Sequence, residues 1–154
     1  MRPIVNIEEI VDALGMQPDE MASFVNLDTG AVETIDNDLL AQAEESPDSE
    51  PDLSDWQEEQ WEIARNIAST DRYKALPSKH DVHEWAIMDE FIKTVSDLAV
   101  RNELAAAIRG PRAFRKFKDI LSRHETEQAW YNFRDAKLRE IAIQWCEENQ
   151  IAWR

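Results

Sequence analysis

The apolar residues of this chain recur at helical spacing over most of its length and alternate only near its start. Ile7, Ile10, Val11 and Leu14 stand three or four apart and form one helical face. Asn6 is placed to cap that helix, Glu8 and Glu9 suit its positive end, and Gly15 is the expected stop. The residues before Asn6 read as a short strand. Over 21–35 the period changes to two. Residues 23–27 and 31–35 flank Asp28-Thr29-Gly30, which predicts a β-hairpin with Gly30 at φ > 0 in a type I turn with a bulge. Asp28 can bond the backbone ahead of it. The turn lacks the alternating acids and closing Glu of a calcium loop. A lone hairpin is marginal in water, so this one must pack on helices.

Helical spacing returns from residue 36. A short helix is predicted over 36–43. Ser54 or Asp55 then caps a helix over 56–69, with Trp56, Gln60, Ile63, Ala64 and Ile67 as its stripe. Trp61 falls off that stripe and reads as an interface candidate. Residues 71–79 read as a loop, extended ahead of Pro77. A helix over about 81–95 carries Trp85, Met88, Phe91, Ile92 and Val95, with Glu84 inside the same arc. Ser96 is the expected cap of the next helix, which runs to Arg109 with Leu98, Leu104, Ala105 and Ile108 on one side. Gly110-Pro111 reads as a corner, Gly110 ending one helix in a left-handed conformation and Pro111 opening the next. Beyond it Phe114, Phe117, Ile120 and Leu121 share one side, and Arg112, Arg115, Lys116 and Arg123 the other, with Asp119 among them. The last helix, capped by Thr126 and running to Glu148, aligns Trp130, Arg134, Leu138, Ile141 and Trp145. Asn149 is its stop, and Ile151-Ala152-Trp153 is an apolar tail placed to dock on the core.

These elements predict an α+β fold, mostly α: an N-terminal β-hairpin unit packed on a C-terminal bundle of four to five helices. Residues 1–43 form the helix and hairpin unit, 44–55 an acidic linker or loop, and 56–154 the helical domain, one compact unit with 1–43. The linker reading rests on two prolines, three serines and six acids in EESPDSEPDLSD.

Charge sharpens the picture. The 154 residues carry a formal net charge of −15. Residues 1–70 hold 18 acids against Arg2 and Arg65, a balance of −16, whereas 71–154 hold 14 acids against 15 bases, a balance of +1. An acidic half argues against non-specific nucleic-acid binding by that half and permits a basic partner. Five of the ten residues 109–118 are nonetheless basic: Arg109, Arg112, Arg115, Lys116 and Lys118. The corner brings Arg109 near free helix N–H groups, a candidate anion site, or else a solvated helix face. No apolar run approaches the ~20 residues of a membrane helix, and acids stand where an export signal needs an apolar core. Cys146 is the one cysteine, so no intramolecular disulfide forms, in keeping with a cytoplasmic protein.

Arg134 stands among apolar neighbours and needs a carboxylate. Glu84 is the expected partner, as a Glu84–Arg134 or a Glu84–Arg109 ion pair. Glu84 reads either as a structural charge or as a general acid or base. His80 and His83 with His124 and Cys146 do not reach a metal-ligand spacing, so no metal and no cofactor is expected. A Cys146–His124 nucleophile pair is weaker still. Of six tryptophans, Trp85, Trp130 and Trp145 lie on apolar faces and read as core, while Trp61 or Tyr131 is the type of residue on which bases stack. With three glycines there is no P-loop, dinucleotide fingerprint or serine elbow.

Phe24-Val25-Asn26-Leu27-Asp28-Thr29-Gly30-Ala31-Val32, Pro77-Ser78, His83-Glu84-Trp85-x-Ile87-Met88, Ala107-Ile108-Arg109-Gly110, Ala113-Phe114-Arg115-x-Phe117-Lys118-Asp119, Trp130-Tyr131-x-Phe133-Arg134-Asp135 and Trp145-x-x-Glu148-Asn149 follow one another along the chain. In that order they resemble the bacterial Uncharacterised Protein Family 0158. Pro111-Arg112 and Gln150 depart from its pattern, Gln150 standing where relatives often carry glycine. The resemblance implies a bacterial cytosolic protein and brings no catalytic residue, cofactor or substrate. Three functions stay open. The first is a binding or regulatory module whose basic helix holds a polyanion, with a protein partner or nucleic acid as ligand and no membrane. The second is an enzyme on a phosphorylated or nucleotide substrate, clamped by Arg109 and Arg115, with Glu84 or Asp119 moving protons. The third is an acidic mimic that inhibits a basic partner.

Overall fold

A computed structural model describes residues 3–16, 20–46, 48 and 54–154. Half of the 44–55 segment, residue 47 and residues 49–53, therefore lies outside the described residues. The fold is α+β and mostly α, and its contacts divide it into two units. The first takes in the described residues up to Ser78 together with Ile141–Arg154, and the second is Lys79–Glu140.

The first unit opens with β1 (Ile4–Val5) and α1 (Ile7–Gly15). Asn6 Oδ1 accepts from the Glu8 N–H at 3.0 Å, the capping bond its position predicts. Ile7, Ile10, Val11 and Leu14 are the buried face of α1. Strands β2 (Met21–Asn26) and β3 (Val32–Asp36) pair antiparallel with Val25 opposite Val32. The turn differs from expectation in its polar anchor. Asn26 Oδ1 accepts from Asp28 N at 2.8 Å and Thr29 N at 3.2 Å, so Asn26, two residues before Asp28, makes the turn bonds. Gly30 has φ +79°, and a Cβ there would lie 2.8 Å from the Ile4 carbonyl oxygen, so β1 sits directly on this turn.

α2 (Asn37–Glu45) is capped by Asp36, which accepts from Asp38 N and Leu39 N. α3 (Asp55–Ser69) starts at Ser54, whose N–H and hydroxyl both donate to Gln57 Oε1. The loop expected over 71–79 contains a third strand, β4 (Tyr73–Ala75), antiparallel to β2. Three residues are too short for a period to show, and β2 supplies the pairing that makes them a strand. β3 packs against α1, α2 and α3. Ile35, Leu39, Ala43, Trp61 and Ala64 form the core there. Trp61, expected outside, is 6% exposed. β5 (Ala152–Trp153) lies parallel to β1, and the pairing is extended by Ile7 N to Arg154 O and Arg154 N to Val5 O, each 3.0 Å.

The second unit begins with α4 (Lys79–Val82) and α5 (Glu84–Thr94). His83, at φ 55°, separates them, so the helix predicted over 81–95 is broken. α6 (Leu98–Ala107) is capped by Asp97 rather than Ser96: the Asp97 carboxylate accepts from Ala99 N and Val100 N. Leu98, expected on the buried side, is exposed because it is the first residue of the helix. α7 (Ala113–Arg123) buries Phe117, Ile120 and Leu121. α8 (Glu127–Glu148) follows, its last turns belonging to the first unit. Thr126 does not cap it through its side chain, since its hydroxyl donates back to Leu121 O. After α8, Gln150 takes φ 58° while Ile151 N bonds Cys146 O at 2.8 Å. Glycine meets that left-handed requirement at no steric cost.

Trp130 is the centre of the second unit. Its ring centroid is 5.4 Å from that of Phe91 and 4.9 Å from that of Phe117, both edge-on. Phe133 lies 5.5 Å from Phe91.

Candidate functional site

The site is the start of α7. α6 ends at Ala107, and Ile108 N and Arg109 N bond back to Leu104 O and Ala106 O. Trp85 Nε1 donates to the Ile108 carbonyl at 2.9 Å, which ties α5 to this corner. The Trp85 ring is half exposed, so it is not the core residue its helical position suggests. The hydrogen bond explains the difference: the indole lies over the end of α6 with one edge in water.

Gly110 is not the left-handed residue of the corner. Arg112 is, at φ 57° and ψ 36°. A residue before proline is steered out of the α region, so the reversal falls one residue after Pro111. Holding arginine in that conformation costs about 1–2 kcal/mol. Arg112 makes no side-chain cap, and the first turn of α7 holds no acid. Its free N–H groups thus face an end that carries Arg112, Arg115 and Lys116. Cations at the positive end of a helix are each unfavourable by about 0.3–1 kcal/mol unless an anion is present.

Arg109, Arg112, Arg115 and Lys116 are exposed, and Lys118 is half-buried. None of these five has an ion-pair partner among the described residues. Among the described residues, several other cations of the same unit are paired, although Arg101 of α6 is not. Lys93 meets Asp89 at 3.4 Å, Arg139 meets Asp135 at 3.6 Å, and Lys137 lies 3.3 Å from Glu90 and 3.6 Å from Glu140. The hydrogen bond that Lys137 donates to Glu90, then the charges of Glu140 and Glu90, raise the Lys137 pKa above its ordinary value. The far end of α7 is also neutralised, since Glu103 of α6 holds Arg123 at 3.7 Å and His124 at 2.9 Å. Lys116, Asp119 and Arg123 line a shallow groove of about 390 Å³ with Glu103 and Ala106. The positive charge left open on α7 is therefore at its first turns.

Lys118 points elsewhere. Its Nζ lies 5.2 Å from the Phe114 ring centroid and 5.4 Å from that of Tyr131. Phe114, expected with the buried face, is 47% exposed, and Tyr131 is 43% exposed. Phe114 has nearly the angular position of Leu121 but lies in the first turn. Periodicity gives the buried side of a helix and not how far along it the cover extends.

The Glu84 carboxylate meets Arg134. Arg134 Nε donates to Oε1 at 3.0 Å and to Oε2 at 3.3 Å, and Nη2 donates to Oε1 as well. The two side chains are only 27% and 22% exposed. Arg109 takes no part in an ion pair among the described residues. Among the described residues no group of three or more His, Cys, Asp or Glu is placed to hold a metal ion. His124 is bonded to Glu103. The Cys146 thiol is buried, and burial followed by the charge of Glu147 pushes its pKa up to about 11. That keeps it neutral and inert as a nucleophile near neutral pH. No helix among the described residues is long and apolar enough to cross a membrane.

The family model of an uncharacterised protein family, UPF0158, matches residues 1–154. The chain belongs to that family. A UPF0158 protein of Pseudomonas aeruginosa is 33% identical over 66 residues, a stretch that covers 42% of this chain and 43% of that relative. The match thus spans less than half of the relative's length. No solved structure matches the chain. Membership in UPF0158 brings no activity, cofactor or ligating residue, so any role must come from the geometry above.

One consequence of that geometry concerns the ion pair. Glu84→Gln leaves the Arg134 guanidinium short of charge and is expected to cost about 1–3 kcal/mol. Reversing both members, E84R with R134E, is expected to recover part of the loss of either reversal alone, with a coupling energy of about 1–2 kcal/mol in urea unfolding. Strictly additive losses would mean the pair contributes nothing.

Proposed function

We propose that this chain is a small non-enzymatic binding module of the bacterial cytoplasm whose ligand is a nucleic acid, held through its phosphates by α7. The observation that carries this reading is the set Arg109, Arg112, Arg115, Lys116 and Lys118. They have no ion-pair partner among the described residues of a protein with formal charge −15, and Arg109, Arg112, Arg115 and Lys116 flank a helix start without a side-chain cap. Phosphates would meet both the guanidinium groups and the free N–H groups there. The acidic first 70 residues would keep the remaining surface from binding polyanions indiscriminately. An enzymatic role for Glu84 is less favoured, because Arg134 already occupies its carboxylate.

The test is anisotropy of a labelled pool of short RNA and DNA at several salt concentrations. Binding by phosphate contacts weakens linearly in log salt. Replacing Arg112, Arg115 and Lys116 together by serine is expected to weaken binding across sequences and to flatten that slope by about 2–3. No binding by the unaltered protein at low salt would defeat the reading.

A further inference from the structure

We infer that the ligand is single-stranded, with unstacked bases seated on Tyr131 and Phe114 and a phosphate between them on Lys118. This rests on the nucleic-acid reading of α7. Of the other large aromatics of this unit, Phe91, Phe117 and Trp130 are buried, Phe133 is partly buried, and the exposed Trp85 is tied to the Ile108 carbonyl. Phe114 and Tyr131 remain 47% and 43% exposed, and they share one ammonium, the Lys118 Nζ, at 5.2 and 5.4 Å. Lys118 has no carboxylate partner among the described residues. It lies on α7 three residues after the exposed Arg115.

The platform is firmly backed. Trp130, next to Tyr131, is wedged against Phe91 and Phe117, so α8 presents Tyr131 from a packed segment. Of the acids one turn away on α8, Asp135 is held by Arg139 at 3.6 Å. Glu127, in the first turn, repels phosphate, which favours a strand that approaches from the α7 side. A duplex shows a helix face mainly its backbone, and its bases are stacked on each other. A single strand offers both a phosphate for Lys118 and a free base face for each ring. Every base has such a face, so recognition would tolerate sequence.

Four probes separate the possibilities: a short single-stranded RNA, a DNA of the same sequence, their duplex forms, and inorganic polyphosphate, which has charge without bases. The single strands are expected to bind more tightly than duplex or polyphosphate at the same salt. Phe114→Leu and Tyr131→Leu keep apolar bulk but remove the aromatic face. Each is expected to weaken single-strand binding about fivefold to a hundredfold and to leave polyphosphate binding unchanged. Tyr131→Phe keeps the ring and is expected to retain the affinity. Equal binding of all probes, or leucine variants that bind single strands as well as the unaltered protein, would overturn the stacking inference while the phosphate reading stands. Failure of every probe to bind would remove both.

Discussion

Trp130→Ala is expected to lower the stability of the protein by about 3–5 kcal/mol, the usual loss when a buried aromatic is truncated. Trp130 is 1% exposed and is the ring on which Phe91 and Phe117 both close edge-on. Its removal loses apolar burial, two aromatic contacts and the filling of the space between α5, α7 and α8. Trp130→Phe is expected to cost less than half as much. The Trp130 indole N–H is buried with no hydrogen-bond partner, so phenylalanine gives up volume but also removes an unsatisfied donor, worth about 1–3 kcal/mol. Urea unfolding followed by circular dichroism measures both. An alanine variant within about 1 kcal/mol of the parent would refute the central placing of Trp130.

Trp61→Ala is expected to cost a similar amount, about 3–5 kcal/mol, through the first unit. Trp61 lies among Ile35 of β3, Leu39 and Ala43 of α2, and Ala64 of its own helix. The two alanines have no exposed surface, and the small side chains leave room for an indole. The same substitution at a solvent-facing interface residue would fall within about 0.5 kcal/mol. Chemical denaturation therefore decides between the two placings of this side chain.

Trp61 also shows where the sequence stops being informative. The stripe drawn through Trp56, Gln60, Ile63, Ala64 and Ile67 is a fair average of the apolar positions of α3, and its Ala64 is fully buried. The helix is turned from it toward Trp61, which packs with Leu39 and Ala43 of α2, while Ile63 and Ile67 are only partly buried against that core. Gln60 accordingly has a buried Oε1 without a hydrogen-bond partner. Features set by neighbouring residues were legible: the Asn6 cap, the hairpin and its glycine, the buried side of α7. Features set by distant ones were not. β4 is a strand because β2 lies beside it. Trp85 is exposed because its N–H reaches Ile108. The basic residues of α7 could be read as a cluster, but that no carboxylate meets them could be seen only once the acids of α6 and α8 had been placed.

The pairing of β1 with β5 has a consequence for biosynthesis. Residues 4 and 5 meet residues 152 and 153, so the first unit cannot be completed until nearly all of the rest has been translated. The Lys79–Glu140 unit is continuous in the chain. At about 5–20 residues per second, the earliest-made strand waits for several seconds with its backbone groups unpaired. A nascent chain in that interval exposes a free strand edge next to Ile10, Val11 and Leu14 of a still incomplete core, the kind of edge that recruits strands from other chains. Slow translation of the second unit would lengthen this exposure without altering the stability of the finished protein.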